Sequence, residues 1–372
     1  MKIIIVFGTR PEAIKMAPVV KAFRADPAFE TIVCVTGQHR SMLDQVLSLF
    51  DIAPDIDLDI MKAEQSLTDV TVGTMTGLET VLAEQKPDAM LVHGDTTTAM
   101  AAAMAAFYAQ IPVGHVEAGL RTGDLSAPWP EEMNRRVVDL VSRWLFAPTE
   151  TAGEALRKEG ANPTHIHITG NTVIDALLSV VGDIHADSAK KAALDAQFDF
   201  LDATKRLIVV TGHRRENFDG GLERMCQALA QLAARGDVEI VYPVHLNENV
   251  QRAANTVLAD TNAVHLIEPQ DYLPFVYLMD RAHLVISDSG GIQEEAPSLG
   301  KPVLVTRDVT ERPEAIEAGT CQLVGTDIDR IVSAAATLLD DEQEYARVSA
   351  IKNPFGDGTA AAHIVEAMKH AA

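Results

Sequence analysis

Short apolar runs alternate with helix-length stretches along most of the chain. Ile3–Phe7 is a buried-strand run closed by Gly8-Thr9-Arg10, and Pro11 stands where a helix would start. Thr31–Thr36, Ala89–His93, Val113–Glu117 and Trp144–Ala147 follow as further strand candidates, each set apart by a helix-length segment. After His167 the pattern restarts, with Arg206–Thr211, Val238–Tyr242, Ala263–Ile267, Leu284–Ser287 and Val303–Thr306. This spacing predicts βαβ units, hence parallel sheets covered by helices on both faces. Asp183–Lys205 is polar, alanine-rich and weakly periodic, and marks the region where two α/β halves divide.

The halves echo each other. The first strand of each runs into Gly, a polar residue and Arg: Gly8-Thr9-Arg10 and Gly212-His213-Arg214. A later strand in each runs into Asp and small residues: His93-Gly94-Asp95-Thr96 and Asp288-Ser289-Gly290-Gly291. Open parallel sheets bind ligands beyond the carboxyl ends of their strands. Two such sheets facing each other would gather all four turns around one cleft.

Charge narrows the partners. The 372 residues carry 31 Lys and Arg against 53 Asp and Glu, a net charge of −22. Nucleic acids and anionic membranes need a basic face, so both are disfavoured. An anionic substrate must be held by a local group of cations against the global field. The three cysteines, Cys34, Cys226 and Cys321, lie far apart and match neither a zinc site nor a disulfide framework. The first apolar run is too short for a signal-peptide core, and no stretch reaches the roughly 20 residues of a membrane span. A cytoplasmic protein is expected.

Candidate chemistry sits at the strand ends. Asp288-Ser289-Gly290-Gly291 precedes a helix, where glycines admit close backbone approach to a phosphate, although Asp288 or Ser289 could equally be a plain helix cap. Glu295 lies one turn on. Arg10, Arg214, Arg215 and Arg312 fall in loops at or beyond strand ends, and Arg suits bidentate contact with phosphate. Lys15 lies one turn into the first helix. Asp95, Glu117 and Glu131 are carboxylates at strand or helix ends, and burial there raises a carboxylate toward a useful pKa. Asp95 could instead cap a helix, and Glu131 could pair with Arg135 four residues on. His213 is the histidine best placed for chemistry. No GxGxxG follows the first strand, no GxxxxGK[ST] occurs, and no tight His/Cys cluster appears, so no nicotinamide, Walker-type ATP or metal site is indicated.

These residues fall in longer segments: Phe7-Gly8-Thr9-Arg10-Pro11-Glu12-Ala13, Val92-His93-Gly94-Asp95-Thr96, His115-Val116-Glu117-Ala118-Gly119-Leu120-Arg121 and Trp129-Pro130-Glu131-Glu132. Thr211-Gly212-His213-Arg214-Arg215-Glu216, Asp288 through Glu295, and Thr310-Glu311-Arg312-Pro313-Glu314 complete the set. In this order the set resembles the bacterial non-hydrolysing UDP-N-acetylglucosamine 2-epimerases. The resemblance implies a glycosyltransferase-B-like architecture of two Rossmann-like domains facing a central cleft. Residues 1–170 would form the first domain, with a C-terminal helix over 356–372 packing back on it, and 171–355 the UDP-binding domain. It further implies a homodimer that interconverts UDP-GlcNAc and UDP-ManNAc without a cofactor.

By the same resemblance, Arg10, His213, Ser289, Gly290 and Gly291 would hold the diphosphate and Glu295 the ribose. Gln270 and Phe275 would meet the uracil, and Lys15, Arg135, Arg214 and Arg312 would line the site. Asp95, Glu117, Glu131 and His213 match catalytic or sugar-contacting positions, with Asp95 or Glu117 favoured as base. Some relatives bind a second UDP-GlcNAc as activator, and Gln38, His39 and His245 are the matching loops. Glu64 or Gln65 stands where some of those relatives carry Arg, which argues against an activator here. A hydrolysing 2-epimerase, a glycosyltransferase and a non-catalytic nucleotide-sugar sensor are the competing readings.

Overall fold

The seven strands of the first sheet are laid down in an order that reverses once. β1 (Lys2–Phe7), β2 (Glu30–Val35), β3 (Ile56–Asp57), β4 (Ala89–His93), β5 (Val113–Val116), β6 (Ser142–Ala147) and β7 (Ile166–Ile168) form a parallel sheet in the order β3-β2-β1-β4-β5-β6-β7. β8 (Arg206–Thr211), β9 (Val238–Pro243), β10 (Val264–Ile267), β11 (Leu284–Ser287), β12 (Val303–Val305) and β13 (Cys321–Leu323) repeat the plan as β10-β9-β8-β11-β12-β13. These come from a computed structural model that describes residues 1–38, 40–62 and 64–369, with Ser41 described by its backbone alone. The chain forms two compact units, Met1–Ala176 with Phe355–Ala372, and Leu177–Pro354. Each is Rossmann-like, as in the glycosyltransferase-B-like class.

Strand order decides where a ligand can sit. The order reverses between β1 and β4 in one unit and between β8 and β11 in the other, so the helices after those strands leave on opposite faces and open a crevice at their carboxyl ends. The four turns that the sequence repeats are the turns after these four strands. Both sheets are apolar on both faces, as buried parallel strands must be. Ile4 and Val6 pack with Leu78 and Leu82 and with Ala99, Ala102, Ala103 and Ala106, whose small side chains bring the helix Thr97–Tyr108 close to the strands. Ile208, Val210 and Ile240 pack likewise against Leu222, Met225, Leu229 and Leu232. β3, β7 and β13 have no counterpart among the strands expected from sequence, because two or three residues are too few to show a periodicity.

The first turn is sterically committed. Thr9 caps the helix Arg10–Ala25 in a capping box with Glu12, and Pro11 occupies its first turn. A Cβ on Gly8 would lie 2.0 Å from the Thr36 hydroxyl, so only glycine lets β1 turn beside β2. Glu12 is buried, accepts from the Gly8 and Thr9 amides at 3.0 and 2.7 Å, and takes the Thr96 hydroxyl at 2.6 Å. Burial pushes its pKa up while these bonds pull it back. It thereby ties the turn after β1 to the turn after β4.

The last helix, Ala360–Lys369, belongs to the first unit and packs on Arg10–Ala25. Its opening amides, Ala360 and Ala361, donate to the Asp175 carboxylate at 3.2 and 2.8 Å, and Lys369 pairs with Asp26 at 2.5 Å. Asp175 thus caps a helix 185 residues away. Among the described residues, no helix is long and apolar enough to cross a membrane.

Candidate active site

In the first unit the chemistry collects where β4 and β5 end side by side. Gly94 and Glu117 both take left-handed backbone, φ +66° and +69°. Glycine does so freely, whereas glutamate pays roughly 1–3 kcal/mol for it. The conformation turns the Glu117 carboxylate away from the path of the strand. There its Oε1 accepts from the Lys15 ammonium and from the Asn171 amide at 2.8 Å. Lys15 reaches it from the helix Arg10–Ala25, as its place one turn in predicts. His93, the last residue of β4, lies with Nε2 3.5 Å from the other oxygen, Oε2.

Asp95 is not a helix cap. Thr96 caps the helix Thr97–Tyr108 by accepting from Ala99, and Asp95 is free to pair with Arg135. Arg135 also reaches Glu132 at 3.3 Å, so it does not serve as a solvated partner for Glu131. The two glutamates at the start of the helix Glu131–Val141 have opposite tasks. Glu132 is fully buried and accepts from the Thr122 and Gly123 amides, fastening the preceding loop. Glu131 is half-buried beside it. Arg10, half-buried, begins the helix after β1.

Behind both strand ends lies a largely buried network centred on Asp139. The His115 ring stands 2.6 Å from Asp139 and 2.8 Å from the Gly94 carbonyl. Arg121 pairs with the same carboxylate at 2.7 Å, and the Gly119 amide donates to it at 3.3 Å. One carboxylate therefore holds the turns after β4 and β5 in register. Burial alone would raise the Asp139 pKa, but His115 and Arg121 outweigh it and hold it below the usual range.

In the second unit Asp288 is a clamp rather than a ligand or a cap. It is fully buried, and its Oδ2 accepts from the His213 and Arg214 amides at 2.9 and 2.8 Å. With the Thr211–Ser287 hydroxyl contact at 2.6 Å it locks the turn after β8 to the turn after β11. His213 points Nδ1 toward Asp288 at 3.5 Å and stacks on His245 with ring centres 5.3 Å apart. Burial lowers its pKa, with the Asp288 charge opposing, which favours the neutral ring.

Around Ser289-Gly290-Gly291 the cations gather. A Cβ on Gly290 would meet Arg214, Arg312 and Glu311 at 3.7 to 3.9 Å, so the glycine leaves open a patch rimmed by two guanidiniums. Arg312 pairs with buried Glu294, and Arg214 lies 3.6 Å from Glu311. Arg307, unremarked in the sequence, is buried and bridges Glu216 at 2.6 Å and Glu311 at 3.1 Å. Glu295 accepts from the Tyr272 hydroxyl at 3.4 Å. Gln270 bonds the Glu268 carbonyl and Gln197, and Phe275 is half-buried in the helix Tyr272–Arg281.

Comparison with known proteins decides what this arrangement belongs to. The family model for UDP-N-acetylglucosamine 2-epimerase matches residues 21–369. The UDP-N-acetylglucosamine 2-epimerase of Escherichia coli (strain K12) is 57% identical over 371 residues, 100% of this chain and 99% of its own. The chain belongs to the UDP-N-acetylglucosamine 2-epimerase family. The crystal structure of UDP-GlcNAc 2-epimerase from Neisseria meningitidis bound to UDP-GlcNAc matches with a TM-score of 0.92 at 48% identity, covering 100% of both chains. That from Methanocaldococcus jannaschii in complex with UDP-GlcNAc and UDP matches with a TM-score of 0.79 at 32% identity, again over 100% of both chains.

Within this epimerase, Gln38 is tied to Thr98 at 2.8 Å and to Gln65 at 3.2 Å, both in the first unit. His245 is engaged with His213 in the second unit. His39 lies outside the described residues. Asn171 is the site neighbour that sequence reasoning missed, and His93 stood out there only as a strand-end histidine expected to be structural. Asn171 follows a three-residue strand with no pattern, whereas His93 was visible as a histidine closing an apolar run.

Asp139 yields a stability test. Its pKa is depressed by folding, so its contribution is present above the unfolded carboxylate pKa and is lost as pH falls through the lower folded value. Asp139→Asn breaks a buried charge network and should cost roughly 3–5 kcal/mol at pH 7. Urea unfolding as a function of pH should show that gap to wild type narrowing below about pH 4.

Proposed function

We infer that the protein interconverts UDP-GlcNAc and UDP-ManNAc by eliminating and re-adding UDP, with no cofactor. The observation that carries this reading is Glu117, a carboxylate held by Lys15 and Asn171 at the end of β5, beside Asp95 at the end of β4. The hydrogen on carbon 2 of the sugar is not acidic, because no carbonyl adjoins it. Breaking the bond from carbon 1 to the phosphate oxygen sends that electron pair to UDP and leaves the ring oxocarbenium-like. The carbon 2 proton then passes to a carboxylate and its bonding pair becomes the double bond of a 2-acetamidoglucal. Re-addition of UDP, with a proton delivered to the opposite face, inverts carbon 2.

The residues divide this work. Glu117 takes the proton, its charge held in place by Lys15 and Asn171. Asp95 on the neighbouring strand, held by Arg135, is the second proton carrier that inversion requires, and Glu131 stabilises developing positive charge. In the second unit, His213, Arg214, Arg312 and the Ser289-Gly290-Gly291 backbone hold the diphosphate, so that departure of UDP is stabilised as charge develops. Glu295 holds the ribose, and Gln270 with Phe275 meets the uracil.

We also propose a homodimer. The helices Leu67–Gln85 and Thr97–Tyr108 pack side by side and leave Val72, Phe107 and Tyr108 more than half exposed. They flank a cavity of about 770 Å³ lined by Met75, Leu82, Tyr108 and Ile111. An exposed apolar patch of this kind marks an interaction face. A cytoplasmic setting fits the three buried thiols, which form no disulfide.

Two outcomes follow. Purified protein supplied with UDP-GlcNAc alone should convert it to UDP-ManNAc up to a fixed ratio, read by anion-exchange chromatography. Free ManNAc with UDP as the main products would instead show the hydrolysing reaction, and an unchanged substrate would leave a binding protein. In sedimentation analysis the wild type should run as a dimer and Phe107→Glu with Tyr108→Glu as a monomer; a dimeric double variant would move the interface elsewhere.

A further inference from the structure

His93 is out of keeping with its surroundings. It closes β4, is only 3% exposed, and neither ring nitrogen has a hydrogen-bond partner among the described residues. A buried imidazole without partners costs free energy that a leucine or valine in its place would not. Its Nε2 lies 3.5 Å from Glu117 Oε2, just beyond bonding distance. The neighbouring Gly94 is left-handed, and a Cβ there would stand 3.5 Å from the same oxygen, so glycine leaves that side of the carboxylate open.

From this geometry we propose that His93 is a positioning residue for Glu117, presenting Nε2–H to Oε2 and holding that oxygen as the proton acceptor. The proposal rests on the epimerase reading and on Glu117 as base. The titratable groups facing the pair are Lys15 from the helix Arg10–Ala25, His115 from β5, and each other; Asn171 adds an uncharged donor. Burial pushes the His93 pKa down to about 3, against the pull of Glu117. The ring is therefore neutral whenever the protein works. A neutral donor orients a carboxylate without adding a second full positive charge beside it, which would weaken the base further than Lys15 already does. The two oxygens thus have different company: an ammonium and an amide on Oε1, an imidazole next to Oε2. Only a short approach, of the size a side chain makes when substrate fills a site, is needed to turn the 3.5 Å contact into a bond.

The test is a series at position 93 in the full-length enzyme: His93→Ala, His93→Asn and His93→Gln. Glutamine can place an N–H near the position of Nε2, asparagine only near Nδ1. His93→Ala should lose about 10- to 100-fold in kcat for UDP-ManNAc formation with KM for UDP-GlcNAc within about threefold. Loss of that donor in the substrate complex raises the Glu117 pKa there, so the acid limb of kcat should move to higher pH. His93→Gln should recover most of the rate and return the limb; His93→Asn should not. An Ala variant within threefold of wild-type kcat, or one whose loss is all in KM, overturns the proposal. So does a Gln variant as impaired as the Asn variant, a comparison that still decides the matter if His93→Ala fails to fold. Absence of UDP-ManNAc formation by the wild type would instead overturn the epimerase reading itself.

Discussion

The left-handed backbone of Glu117 is the constraint around which the first unit is arranged. A β-strand alternates its side chains between the two faces of the sheet, and a glutamate continuing β5 would be driven into one of the helical layers. The positive φ breaks that alternation and swings the carboxylate out at the strand end. A strained non-glycine residue persists only when its surroundings over-determine it. Here they do: Lys15 and Asn171 hold its oxygen from two other elements, and Asp139 fixes the chain on either side through His115 and Gly119.

The second unit meets the same topological problem with a different device. Its two switch-point turns are joined by the fully buried Asp288, which spends its carboxylate on backbone amides instead of on a ligand. The cations around Gly290 already have carboxylate partners, Arg214 with Glu311 and Arg312 with Glu294. If the diphosphate binds there as proposed, it exchanges one anion for another, which would reconcile a strongly acidic protein with an anionic substrate. Locally paired arginines stay oriented without a bound ligand.

Much of this was legible from the residues alone. The two repeated turns, Gly8-Thr9-Arg10 with Gly212-His213-Arg214 and His93-Gly94-Asp95 with Asp288–Gly291, stand at the two points where strand order reverses. Lys15 meets Glu117 because helical periodicity turns its position back toward the strand end. What stayed hidden depended on contacts distant in sequence. Nothing local tells that Asp288 is a clamp, that Asp95 pairs with an arginine 40 residues on, or that Glu132 and not Glu131 is the buried member of the pair. The strands β3, β7 and β13 escaped because edge strands of two or three residues carry no pattern, and Asn171 escaped with β7.

The central claim is that Glu117 moves the proton on carbon 2. The most direct measurement is proton NMR of UDP-GlcNAc in D₂O with wild-type protein and with Glu117→Gln, alongside UDP binding by calorimetry. The account predicts deuterium entering carbon 2 with the wild type, and a loss of at least about 100-fold in that exchange with the variant. UDP affinity should stay within about threefold, because Glu117 is not among the residues proposed to hold UDP. Exchange at the wild-type rate in Glu117→Gln would contradict the account and pass the role of base to another carboxylate.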